Sequence, residues 1–174
     1  MPEDRRRLFF ALWPDPELRR AIVARRLLLG QPCRRRVPDE NLHLTLLFLG
    51  DQPAARVEEI LAGAGGIRNG PFKLELDGFG WFPRAQVVWL GGEAPETGQV
   101  LVGRLEAAME GLEVDFDRRP WKPHVTLFRK VVRRPGLPDP PPLAWPVEEF
   151  ALVESIPGKP YQILRTWPLQ WESA

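Results

Sequence analysis

The apolar positions of this chain change period from one segment to the next, and the changes mark its elements. Residues 8–12 form a short unbroken apolar run, the pattern of a buried strand. After it, Asp15 offers an N-cap carboxylate, Pro16 the first helical position and Glu17 an acid in the first turn. Leu18, Ala21, Ile22 and Leu29 follow at helical spacing with arginine pairs on the other side, and Gly30 and Pro32 stop the helix. Residues 42–49 predict a strand closed by Gly50-Asp51. Strict alternation puts His43, Thr45, Leu47 and Leu49 on one face and Leu42, Leu44, Leu46 and Phe48 on the other, a continuous core face.

A second helix is expected over residues 54–62, ended by Gly63 and Gly65-Gly66. Residues 72–76 and 86–90 read as strands joined by a connection over 78–83, and a third helix runs over 96–109. Residues 125–128 form another strand, with His124 and Thr126 on one face. Six of the prolines fall within residues 135–146, a loop in this reading, and residues 147–153 and 161–169 close the chain as two strands. Strand–helix–strand–strand units thus recur in both halves. They predict an α+β protein with two antiparallel sheets flanking a central cleft and helices outside, a single domain of two interleaved lobes over residues 1–174.

Composition sets the class. With 44% hydrophobic and 27% charged residues, a chain of 174 residues buries a sizeable core as an ordinary globular protein. The net charge of +1 conceals segregation, because residues 118–134 carry seven basic side chains and no acidic one. Arginine supplies 20 of the 24 basic residues, and its planar fork suits phosphate better than the point charge of lysine. An arginine-rich segment is as often plain solvated surface. Cys33 is the only cysteine, which excludes an intrachain disulfide. The apolar run after Arg5-Arg6-Arg7 is too short for a signal peptide and ends at Pro14-Asp15. No stretch nears the ~20 apolar residues that span a bilayer, so the expectation is a cytoplasmic protein with no membrane partner.

Chemistry concentrates in two places. The chain has two histidines and four threonines, and each histidine is followed by threonine at +2 and leucine at +3: His43-Leu44-Thr45-Leu46 and His124-Val125-Thr126-Leu127. Composition alone gives a threonine at +2 of both about once in two thousand chains. One such histidine is more often a structural, hydrogen-bonded residue; the repeated context reverses that reading. Two strands that each carry an imidazole beside a hydroxyl supply a general acid, a general base and anion-binding groups, a set suited to in-line displacement at a phosphodiester. Metal ligation fits less well, since two histidines and one cysteine cannot fill a structural zinc site and neither motif contains a carboxylate. Ser155 and Ser173 lack a nucleophile elbow, and no glycine-rich phosphate loop is present.

In these motifs the chain resembles the two-histidine phosphoesterase superfamily, and within it the RNA 2′,3′-cyclic phosphodiesterases once called 2′-5′ RNA ligases. The likeness spans Arg7-Leu8-Phe9-Phe10-Ala11, the run from Asn41 to Gly50, Val87-Val88-Trp89-Leu90-Gly91, and Pro123-His124-Val125-Thr126-Leu127 with Arg129 after it. The resemblance implies a pseudo-twofold bilobed fold, no cofactor and no metal. It implies hydrolysis of RNA ends bearing a 2′,3′-cyclic phosphate, tRNA fragments among them, to a 2′-phosphate, with reverse 2′-5′ ligation as a weak second activity. By the same resemblance His43 protonates the 3′ oxygen, His124 activates water, and Thr45, Thr126 and Arg129 hold the phosphate. Strict alternation puts Arg129 opposite His124, so its role requires a bend at the strand end.

Trp81, Phe82, Phe48 and Trp121 are candidates to stack on a base, although core packing is the commoner use of each. Arg34, Arg35, Arg36, Arg118 and Arg119 are candidates to follow an RNA backbone. A monomer is expected. The residues alone leave open a nucleotide- or RNA-binding module without chemistry, and a phosphodiesterase acting on small cyclic nucleotides or 2′-5′ oligonucleotides.

Overall fold

The computed structural model describes residues 4–171. Its strands are β1 (Arg5–Leu12), β2 (Leu44–Pro53), β3 (Phe72–Leu76), β4 (Gly78–Phe82), β5 (Val87–Gly91), β6 (His124–Phe128), β7 (Leu143–Val147), β8 (Glu149–Ser155) and β9 (Gln162–Pro168). Its α-helices are α1 (Pro16–Arg26), α2 (Val57–Gly65) and α3 (Glu96–Gly111). The α1 start is the one read from the sequence: the Asp15 carboxylate accepts from the Leu18 N–H at 2.8 Å. A 3-10 turn at Leu27–Leu29 and Gly30, at φ 66°, close it.

The fold is α+β. Seven antiparallel strands run in the order β4-β5-β6-β2-β1-β8-β9, beside a two-stranded β3-β7 ribbon. The two expected sheets are the halves β4-β5-β6 and β2-β1-β8-β9, and they meet at a single residue pair, Leu44↔Val125. That pair lies immediately after each histidine. On either side of it the chain repeats one arrangement, β1-α1-β2 and β5-α3-β6. Ile22 of α1, Ile60 and Leu61 of α2, and Leu101, Leu105 and Met109 of α3 join the inward strand residues in one continuous core. Burial of these side chains drives the assembly at about 25 cal/mol per Å² of apolar surface. The opposite sheet face carries only a small apolar group, Phe9, Ala11, Ala151 and Val153, flanked by Trp13, Phe48 and Tyr161.

Three expectations are corrected. Residues 78–82 are strand β4 rather than a connection, pairing with β5 through Gly80↔Trp89. A Cβ at Gly80 would collide with the Trp89 indole, so this glycine marks a close approach and not a turn. The proline-rich segment is not all loop, since residues 143–147 form β7. Its Pro146 is tolerated because β7 pairs on one side only, with β3.

The third correction concerns β2. Leu47 and Leu49 are buried in the core while Phe48 stands on the face of His43, the reverse of simple alternation. The cause is a β-bulge, since Ala11 pairs with Thr45 but Phe10 with Leu47, leaving Leu46 extra.

Candidate active site

His43, Thr45, His124 and Thr126 line one cleft of about 280 Å³ together with Arg7, Phe9, Phe48, Arg129, Ser155 and Tyr161. Both motifs reach it because their strands are neighbours and both histidines leave the same sheet face, opposite the helices.

Each histidine is set by the same local device. The His43 Nδ1 lies 2.7 Å from the Asn41 carbonyl, and the His124 Nδ1 lies 2.6 Å from the Lys122 carbonyl. A carbonyl only accepts, so each Nδ1 carries the hydrogen and each Nε2 is left for chemistry. The Thr45 hydroxyl sits 3.1 Å from the His43 Nε2 and donates to it when the ring is neutral.

The bend that Arg129 requires is present. Trp89 pairs with Thr126 but Val88 with Phe128, so Leu127 is the extra residue of a bulge. Leu127 and Phe128 are therefore both buried, the phase slips by one residue, and Arg129 joins the cleft face. The bulges at Leu46 and Leu127 occupy the same place, three residues after each histidine. They turn Phe48 and Arg129, each five residues after its histidine, into the cleft.

The segment leading to each motif straps the strand of the other. Arg36 bridges to Phe128, the Val37 N–H donates to the Leu127 carbonyl at 3.0 Å, and the Arg129 N–H to the Arg35 carbonyl at 2.9 Å. In return the Asp117 N–H donates to the Phe48 carbonyl at 2.8 Å and the Trp121 indole to the Thr45 carbonyl at 3.0 Å. Cys33 Sγ adds a bond to the Arg129 carbonyl at 3.0 Å. Buried Arg26 anchors the first strap through the Val37 carbonyl, at 2.8 Å, and Asp39.

The two imidazoles differ in surroundings. His43 stacks on Trp13 with ring centres 5.2 Å apart and planes 6° apart, and Phe9 and Tyr161 enclose it at 4.9 and 5.1 Å. Burial pushes its pKa down to about 4, the Asn41 carbonyl opposes this, and the charges of Arg129 and His124 add to the lowering. His124 meets the Phe82 ring edge at 5.1 Å and lies 6.0 Å from Trp89. Burial lowers its pKa as well, against the Lys122 carbonyl, and the Lys122 ammonium adds to the lowering.

Of the four candidate stacking rings, Phe48 lines the cleft and Phe82 packs on His124. Trp81 and Trp121 instead pack against the core and spend their indole N–H groups on the Val131 and Thr45 carbonyls. Arg118 and Arg119 pair with Glu110 and Asp117, and Arg34, Arg35 and Arg36 lie outside the cleft lining. The sequence reading passed over Arg7, Phe9, Trp13, Ser155 and Tyr161. For Arg7 and Phe9 a signal is available, because odd positions of β1 share one face. Among the described residues no three His, Cys, Asp or Glu side chains converge to hold a metal ion, and no helix is long and apolar enough to cross a membrane.

Residues 14–158 match the family model of the 2′-5′ RNA ligase superfamily. The chain is 37% identical over 172 residues to the RNA 2′,3′-cyclic phosphodiesterase of Escherichia coli, covering 94% of this chain and 96% of that protein. It is 35% identical over 185 residues to the enzyme of the same name from Thermus thermophilus, covering 95% and 91%. The crystal structure of E. coli LigT complexed with 3′-AMP superposes with a TM-score of 0.87 at 34% identity, over 95% of this chain and 99% of that one. A paired-histidine cleft built on this fold, matched in sequence along nearly its whole length, places the chain in the 2′-5′ RNA ligase superfamily of two-histidine phosphoesterases.

Proposed function

We propose that this protein hydrolyses the 2′,3′-cyclic phosphate at RNA ends to a 2′-phosphate, without a metal, by general acid–base catalysis between His43 and His124. The observation that carries the reading is that two equivalently oriented histidines, each with its threonine, converge on one cleft that also holds Arg129. The two named enzymes above, alike along nearly the whole chain, support the substrate class.

The His124 Nε2 accepts a proton from water as its oxygen attacks phosphorus. The bond from phosphorus to O3′ breaks, and the His43 Nε2–H protonates the departing oxygen. Thr45, Thr126 and the Arg129 fork hold the non-bridging oxygens, where negative charge builds up. His43 needs a proton for this role, yet burial and Arg129 keep it neutral in the free protein near pH 7. The phosphate anion supplies the missing opposite charge: beside Arg129 it cancels one cause of the lowering, and beside His43 it favours the imidazolium. Substrate binding thus loads the acid. With an RNA 5′-hydroxyl in place of water, the same steps join the cyclic phosphate to it as a 2′-5′ linkage.

One chain carries both histidines, so the reading needs no second copy, and RNA ends as substrate fit a cytoplasmic enzyme. Replacing His43 or His124 by alanine is expected to lower turnover of a cyclic-phosphate oligoribonucleotide by about 10²–10⁴-fold each in the presence of EDTA. Turnover retained by both folded variants would overturn the assignment.

A further inference from the structure

The motif strands place different groups at equivalent positions in the cleft lining: Arg129 five residues after one histidine and Phe48 five residues after the other. The position of Phe48 still holds a cation. Arg7, from the neighbouring strand β1, lays its guanidinium over the Phe48 ring at 4.9 Å from the centre. An aromatic ring beneath a guanidinium fixes its plane and leaves its N–H edge for a ligand.

Two groups flank Arg7 on adjacent strands. Asp51 and Ser155 are its register partners on β2 and β8. The Asp51 carboxylate is 3.8 Å away, and both side chains are more than half exposed, at 53% and 58%. Such a pair is loose and exchanges readily for a better anion. Ser155 lines the same cleft and brings a hydroxyl.

We infer that Arg7, stacked on Phe48 beside Ser155, binds a second phosphate: the phosphodiester on the 5′ side of the terminal nucleotide. The inference rests on the cyclic phosphodiesterase reading and narrows its substrate to RNA chains over mononucleoside cyclic phosphates. Thr45 is the register partner of Ala11, four residues along β1 from Arg7. At the strand rise this sets the two Cα positions about 13 Å apart, room for a second phosphate one nucleotide beyond the one that Thr45 holds. The arginine arm covers part of that span and leaves the remainder for one nucleotide.

The test compares kcat/KM for a nucleoside 2′,3′-cyclic phosphate with that for a dinucleotide ending in the same group, so that the two differ by one nucleotide and one phosphodiester charge. The wild-type protein should prefer the dinucleotide, and Arg7→Gln should reduce that preference about tenfold or more, the scale of a charge-assisted hydrogen bond. A dinucleotide whose internal linkage is an uncharged methylphosphonate should lose the preference with the wild-type protein and show no further loss with Arg7→Gln. The salt dependence of the dinucleotide reaction should also weaken, by a slope of about 0.7 for one phosphate contact. An unchanged ratio in Arg7→Gln, or an equal loss on the methylphosphonate, would overturn the inference. If the wild-type protein turned over neither substrate, the cyclic phosphodiesterase reading itself would fail.

Discussion

His43 should make this protein lose stability in acid by a calculable amount. Its ordinary pKa is 6.5, and the fold lowers it to about 4, because Trp13, Phe9 and Tyr161 wall the ring from water. The unfolded chain therefore binds the proton first as pH falls, and the folded state is penalised. Above pH 6.5 both states are neutral and the stability is complete; it is lost between 6.5 and 4 and is constant below. The full shift corresponds to about 3 kcal/mol, of which about 2.5 kcal/mol is lost between pH 7 and pH 4.5. Carboxylates and His124 also titrate in this window, so the assay must isolate one group. Urea unfolding of the wild-type and His43→Gln proteins at both pH values does so, because every other titration is common to the two. The substitution should destabilise at pH 7 and do so by about 2–2.5 kcal/mol less, or even stabilise, at pH 4.5. An equal difference at both pH values would refute the burial argument and with it the claim that His43 is neutral in the free protein.

Other outcomes follow from the same geometry. The profile of kcat/KM against pH should be bell-shaped with both flanks moved to the acid side of 6.5, since both histidines are lowered in the free protein, whereas saturation with inorganic phosphate should move the His43 titration upward by NMR. Replacing Arg129 by lysine should lower kcat/KM by about tenfold or more through loss of the two-pronged contact, with unfolding unchanged to within about 0.5 kcal/mol. Gly80→Val should drive Trp89 off its place beside His124, reducing both kcat and the melting temperature; a variant with full activity would show that the Trp89 packing does not position the histidine. Trp121→Phe removes the bond to the Thr45 carbonyl and should cost about 1–3 kcal/mol in urea unfolding.

The elements with local causes were legible in the chain. Asp15 caps α1 because its carboxylate reaches its own backbone, and residues 72–76 alternate because one side of β3 is buried. The histidine and threonine of each motif share a face for the same reason of period. What was not legible depends on pairing between distant strands. The bulges at Leu46 and Leu127 arise from register with β1 and β5, and nothing in a leucine announces them, so Phe48 was assigned to the core and Arg129 needed an unexplained bend. Gly80 looked like a turn because its purpose is the Trp89 ring, nine residues away. Arg7 and Tyr161 line the cleft, and Trp13 stacks on His43, only because β1 and the approach to β9 lie beside the first motif, a tertiary fact.

The central claim is a metal-free, regiospecific hydrolysis carried by two histidines. Its most direct test incubates the protein in EDTA with an oligoribonucleotide ending in a 2′,3′-cyclic phosphate, runs His124→Ala alongside, and locates the phosphate on the product. The account predicts a terminal 2′-phosphate from the wild-type protein, formed about 10²–10⁴-fold more slowly by His124→Ala. A 3′-phosphate, a requirement for added metal, or equal product from the variant would contradict it.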